Sequence, residues 1–300
     1  MKTMISIVIP TYNGEKHIYK LLREIQNLQK YWKLEVIIID SSSTDKTISI
    51  VESFKNNINN LRLIKISKKS FNHAKTRNFA IRLAKGNYVC FFSQDAIPRN
   101  SKFLKYFIED LDSDARVVAV YGKHIPYKKT PYIPKLEILC RFKILDKYTN
   151  KNGLLMQDLN NPFIPYNDSN KLLWYFLSDT FSCYKKSFLI RNPFPQTDYG
   201  EDFFLGKIII NKGFIKIYDK KCTVNHSHIF NIFEYIKRET EDVAMRSSLM
   251  GLGNKINFKY KLKIILTAKD SVLVKLSHLS QLFFYYIIKT FIFLYIKAQG

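Results

Sequence analysis

A chain of 300 residues, 46% of them hydrophobic, has the apolar fraction of a folded protein and room for one large α/β domain or two smaller ones, which excludes a disordered chain. Its 48 Lys and Arg against 25 Asp and Glu give a formal charge of +23 and favour polyanionic partners: nucleic acid, an anionic membrane surface or a phosphorylated substrate. Cys90, Cys140, Cys183 and Cys222 form no CxxC pair, the pattern of a reduced cytosolic protein, and the apolar run Ile5 to Ile9 stops at Pro10, too soon for a signal peptide.

Residues 4–10, MISIVIP, read as a first buried strand, and the polar turn Thr11 to Glu15 leads into a helix with Ile18, Leu21, Leu22, Ile25 and Leu28 on one face. A second buried strand, Leu34 to Asp40, ends in a carboxylate. The run Ser41 to Asp45 offers cap residues to a helix that turns Ile48, Val51 and Phe54 inward. A third strand, Leu61 to Ile66, precedes a helix over 72–84, and a fourth, Tyr88 to Phe92, ends at Ser93-Gln94-Asp95. Strands and helices alternating at this spacing predict βαβ units, a mostly parallel sheet and right-handed crossovers. Neither GxGxxG nor GxxxxGK[ST] is present, which argues against a dinucleotide oxidoreductase or a P-loop enzyme.

Beyond a strand at Val117 to Tyr121 the pattern loosens. Residues 122–170, with Pro126, Pro131, Pro134, Pro162 and Pro165, read as a long irregular segment of the kind used for functional loops or lids. Order returns at Leu172 to Tyr184. The run Thr197 to Asp202 opens a helix to about Asn211; two short strands, Phe214 to Tyr218 and Thr223 to His226, and a helix over 229–249 follow. Composition then sets a boundary: residues 1–250 form the α/β domain and 251–300 a basic, aromatic, helical region. Within it Leu282 to Ile296 is strongly apolar, but it is interrupted by Lys289 and falls short of the roughly 20 residues of a spanning helix. It reads as an interfacial helix lying on an anionic leaflet, or else as a helix packed on its own domain or on a second subunit.

Ligands of open parallel sheets bind outside the carboxyl ends of the strands. Thr11 to Glu15, Asp40 to Asp45 and Ser93 to Asp95 all follow strands of the same inferred sheet and so converge at one edge. Asp95 there can hold a hard cation or cap the next helix. His73 and Arg77, four apart on a helix, share a face, and an arginine so placed can pair with phosphate. Glu201 and Asp202 begin a helix, where acids are favourable in any case. His226 and His228, two apart at a strand end, face one side.

The ordered set IVIPTYNGE, VIIIDSSSTD, FNHAKTRN, SQDAIP, GED and NHSH, over about residues 4–248, resembles the inverting family 2 glycosyltransferases of the GT-A fold. FNHxxTRN and SQDAxP are similar, more narrowly, to their rhamnosyltransferase-like branch. The resemblance implies a donor site for a dTDP- or UDP-linked sugar made from Thr11, Tyr12, Glu15, Asp40, Ser42, His73, Arg77, Gln94 and Asp95. It implies a divalent metal, Mg2+ or Mn2+, on Asp95 with His228, at a shortened DxD that reads Ser93-Gln94-Asp95. Asp202 would be the base that takes the acceptor's proton, with Glu201 and Asp179 on the acceptor side. The implied acceptor is a glycan or lipid-linked intermediate of cell-surface polysaccharide, reached from the cytoplasm at the inner face of the membrane. A nucleic-acid-binding module would rest on the charge alone, since no nucleic-acid-binding motif accompanies it, and Asp95, Asp202 and His228 argue against an inactive scaffold.

Overall fold

The structure is a computed structural model, and it describes residues 4–161, 170–228, 232–250 and 272–299. The expected first four strands form: β1 (Met4–Thr11), β2 (Lys33–Asp40), β3 (Leu61–Lys65) and β4 (Tyr88–Phe92). β1 pairs in parallel with β2 and β4, and β2 with β3. Between them lie α1 (Glu15–Leu28), α2 (Thr47–Ser53) and α3 (His73–Leu83). α1 buries Ile18, Leu21, Leu22, Ile25 and Leu28, the face its spacing predicts. The β1–β2 register sets Thr11 opposite Asp40, so the polar residues after these strands leave the sheet side by side.

Past β4 the sheet becomes antiparallel. The remaining elements in chain order are β5 (Ile97–Pro98), α4 (Phe103–Asp112), β6 (Val117–Ile125), α5 (Tyr132–Lys147), β7 (Leu154–Gln157), α6 (Lys171–Tyr175), β8 (Phe181–Lys185), α7 (Lys186–Arg191), α8 (Glu201–Asn211), β9 (Ile215–Asn225), α9 (Ile232–Met250) and α10 (Val272–Gln299). The sheet order is β3-β2-β1-β4-β8-β6-β9-β5, with β7 also on β9. The sheet is therefore mixed: a parallel half carries the first three polar loops, and β8 inserts antiparallel to β4, Phe92 opposite Phe181. Phe92, Phe103, Phe107 and Phe181 stack into the core at this junction, with ring centroids 4.9–5.9 Å apart.

Two expectations need correction. Residues 122–170 are not irregular throughout, because β6 extends to Ile125 and both α5 and β7 lie within them. Pro131 precedes α5 and Pro134 sits in its first turn, where a missing N–H breaks no helical bond, so prolines that read as loop instead start a helix. The two short strands over 214–226 are one strand, β9. The charged residues Asp219-Lys220-Lys221 between the two expected strands belong to it, and around them the strand changes neighbours, from β7 at Lys216–Asp219 to β5 at Val224 and Asn225.

The chain divides into two compact units, residues 1–124 with 148–226, and residues 125–147 with 227–300, the division falling within the His226–His228 segment after β9. The first holds the sheet. The second is built on α5, α9 and α10 around Leu136, Cys140, Leu282 and Tyr285. The compositional boundary at residue 250/251, the basic run after it, and Pro162 and Pro165 lie outside the described residues. Among the described residues no helix is long and apolar enough to cross a membrane.

Candidate active site

The β1–α1 turn is laced to the β2–α2 loop. Asn13 N–H donates to Ser43 Oγ (2.9 Å), Gly14 N–H to Thr47 Oγ1 (2.7 Å) and Glu15 N–H to Asp45 Oδ2 (3.1 Å). In return Thr44 N–H donates to Asn13 Oδ1 (2.9 Å) and Lys46 N–H to Glu15 Oε2 (3.1 Å). Asp40, fully buried, accepts from Ser43 N–H (2.9 Å), Ser43 Oγ (2.5 Å) and Thr11 Oγ1 (3.1 Å). Asp40, Thr11 and Glu15 thus form the loop scaffold, and Ser42, at φ +63°, donates through Oγ to Ile66 O.

Gln94 fastens the third loop to the first. Tyr12 N–H donates to Gln94 Oε1 (3.0 Å), and Gln94 Nε2 donates back to Tyr12 O (2.9 Å). A Cβ on Gly14 would stand 2.3 Å from Gln94 Oε1, so a glycine is needed there for the clasp to close. The Tyr12 ring is left partly exposed, with Lys68 Nζ 4.5 Å above it and 2.7 Å from its hydroxyl. Lys68 has no strong sequence signal; it is one of two lysines in a short turn after β3. His73 is exposed, edge-on to Phe71, and does not join Arg77.

Asp95, just past β4, lies beside the end of β9: His226 Nε2 is 3.6 Å from Asp95 Oδ1, and two residues on His228 brings a third donor, the ligand atoms of all three within 4.8 Å of one another. The spacing of two in NHSH is the signal for both histidines. His124 adds an imidazole edge-on to His226 (5.1 Å), its Nε2 3.4 Å from Ser178 Oγ; nothing in the sequence connects it to Asp95. One carboxylate and two imidazoles form an oxygen–nitrogen set suited to a divalent transition ion.

Ser93 N–H donates to Thr180 O (3.0 Å), which ties the Asp95 loop to the segment entering β8. On that segment Asp179 is buried, accepting from Ser182 Oγ (3.0 Å) and the Tyr184 hydroxyl, and its backbone N–H points at Asp202 Oδ2 (3.4 Å). Gly200, at φ +76°, a conformation a Cβ would strain, turns the chain into α8, and Glu201 and Asp202 are its first residues. Arg77 is buried between these acids: Nη1 pairs with Glu201, Nε is 3.4 Å from Asp179 Oδ2, and its carbon stands over Phe91 and Phe194. Burial works against its charge, but Glu201, Asp179 and Asp202 more than offset that and strengthen its hold on the proton. Arg77 therefore faces carboxylates of its own chain. Asp202 keeps one face partly exposed and accepts from Phe203 N–H (2.9 Å). Burial, then the charges of Glu201 and Asp179, push its carboxyl up to about 8, against the pull of Arg77.

A mixed sheet whose parallel half ends in three polar loops, joined to an antiparallel strand that carries an acid-rich helix start, is the GT-A arrangement of nucleotide-sugar transferases. Residues 6–190 match the model of glycosyl transferase family 2, and the chain belongs to that family, a family of inverting glycosyltransferases. It is 28% identical over 237 residues to the O-antigen chain rhamnosyltransferase RfbN of Salmonella typhimurium, covering 78% of this chain and 69% of that one. It is 30% identical over 226 residues to the corresponding WbaN of Salmonella anatum, covering 74% and 66%, so the chain spans about two thirds of these relatives. Among solved structures, the mannosyltransferase PcManGT of Pyrobaculum calidifontis, in complex with GDP-Man and Mn2+, superimposes with a TM-score of 0.62 at 19% identity, covering 97% of this chain and 85% of that one.

Proposed function

We propose that this enzyme transfers a sugar, rhamnose being the first donor to test, from a dTDP- or UDP-linked donor to a hydroxyl of a glycan or lipid-linked acceptor during cell-surface polysaccharide synthesis, at the inner face of the membrane. The observation that carries the reading is the Ser93–Thr180 bond, which holds the Asp95 loop against the segment that supports Asp202. One edge then offers a seat for the diphosphate and, beside it, a carboxylate with raised proton affinity.

Tyr12, fixed by Gln94 and flanked by Lys68, offers its ring to the nucleoside base. The acceptor oxygen attacks the anomeric carbon from the face opposite the diphosphate, its proton passes to Asp202, and the bond to the phosphate oxygen breaks with its electron pair leaving on the diphosphate. That single displacement inverts the anomeric centre. Asp95, His226 and His228 would hold Mn2+ or Mg2+, which supplies positive charge for the leaving diphosphate. Arg77 acts at one remove, holding Glu201 and Asp179 in place around Asp202. The test is release of nucleoside diphosphate from a panel of sugar nucleotides, with acceptor extract and Mn2+, followed by determination of the product's anomeric configuration. Release from a deoxyhexose donor with inversion is expected; no release from any donor overturns the reading.

A further inference from the structure

α10 is inverted relative to a helix that faces water. Lys289, amid its apolar run, is 4% exposed, with Nζ 2.6 Å from Glu239 Oε2 and 3.8 Å from Glu137 Oε1. Leu282 and Tyr285 share that inner face and pack with Leu136 and Cys140 of α5, and the Tyr285 hydroxyl donates to Glu137. The outer face carries the phenylalanines: Phe283, Phe284 and Phe291 are 62%, 64% and 69% exposed, and Leu276 and Leu294 are 56% and 55% exposed. On a helix these five fall within a sector of about 100° and run along about 27 Å of its axis. Single exposed apolar residues are ordinary, but a continuous stripe marks an interaction surface.

Charge selects the occupant. The unit containing α10 has seventeen Lys and Arg against seven Asp and Glu. A second copy of the chain would bring the same excess of positive charge to the stripe, whereas an anionic lipid leaflet offers both a hydrocarbon boundary for the phenylalanines and headgroups for the lysines. We infer that the stripe Leu276, Phe283, Phe284, Phe291 and Leu294 is the surface on which the protein lies against an anionic phospholipid leaflet, α10 in the plane of the membrane and Lys289 spared contact with lipid by its own acids. This deepens the membrane part of the proposed function and does not depend on the donor.

The test is flotation of the full chain with phosphatidylcholine vesicles, with and without phosphatidylglycerol, alongside donor hydrolysis measured without lipid. The expected result is binding that needs phosphatidylglycerol and weakens with added salt. The triple variant Phe283→Ser, Phe284→Ser, Phe291→Ser should lose about tenfold or more in partitioning, with unchanged melting temperature and unchanged hydrolysis, since these rings support no core. Vesicle binding by the triple variant equal to wild type overturns the inference, as does absence of binding by the wild type. A wild-type dimer that the triple variant dissolves, with no vesicle binding by either, assigns the stripe to a second copy and likewise overturns it. Failure of every donor with the expected vesicle result leaves this inference standing and removes the sugar-transfer reading.

Discussion

A base that must be ionised to accept the acceptor's proton imposes its own titration on the rate. With the Asp202 carboxyl pushed up to about 8 by burial and by Glu201 and Asp179, its ionised fraction is about one in a hundred at pH 6, one in ten at pH 7 and one half at pH 8. kcat/KM should therefore rise about ninefold from pH 6 to 7, about fivefold from 7 to 8, and by less than twofold beyond. Glu201→Gln removes the neighbouring charge with the larger effect on Asp202 and should move this limb to lower pH, and Asp179→Asn should do the same; Arg77→Met removes the opposing charge and should move it higher. Asp202→Asn should be slower by about a thousandfold or more and should lose the limb. The assay is initial nucleoside diphosphate release at subsaturating substrate across the pH range, with Mn2+ held constant. A wild-type limb in the ordinary carboxylate range, or one that Glu201→Gln leaves in place, would refute the assignment.

Asp202 also makes a stability prediction. A folded-state proton affinity raised from 3.8 to about 8 favours the fold fully only below 3.8, and that contribution is lost as pH rises through 8. Asp202→Asn should thus melt higher than wild type, the gap widening between pH 4 and 8 in calorimetry. Gln94→Ala removes both bonds to the Tyr12 backbone, each worth about 1 kcal/mol, and should raise donor KM by roughly tenfold with a smaller effect on kcat. Asp95→Asn should weaken Mn2+ binding, followed by its paramagnetic resonance signal, by about tenfold or more, and two imidazoles in the set should make Mn2+ a better activator than Mg2+. Lys289→Met leaves buried Glu239 without the cation 2.6 Å away and should cost about 3–5 kcal/mol in urea unfolding, whereas Lys289→Met with Glu239→Leu should recover much of it.

The parallel half of the fold was legible because four apolar runs, each ended by polar residues, can hardly be anything but buried strands. The convergence of Thr11, Asp40 and Ser93 to Asp95 at one edge followed from their all being strand ends. The antiparallel half was less legible: the pairing of β4 with β8 joins residues about ninety positions apart, and no local pattern encodes that. His73 and Arg77 show where a sound local rule stops. Four apart on one helix, they should share a face, but His73 is the first residue of α3 and stays exposed, while Arg77 is buried against carboxylates more than a hundred positions away. Helical spacing fixes direction; only tertiary packing decides what lies in that direction.

On the proposed reading, the run Ser93-Gln94-Asp95 is a shortened DxD that still serves one site. Where the first carboxylate of the motif would stand, Ser93 offers its backbone N–H to Thr180, a bond that joins the two halves of the site. Gln94 needs both a donor and an acceptor, because it meets the N–H and the C=O of Tyr12 together; an aspartate or glutamate in its place would repel the carbonyl. The donor atoms lost with the missing acid are matched by two from the end of β9, where His226 and His228 approach Asp95. On the proposed reading, the change from carboxylate to imidazole redistributes the donors over two chain segments, the end of β4 and the end of β9, and its expected chemical signature is a shift in metal preference.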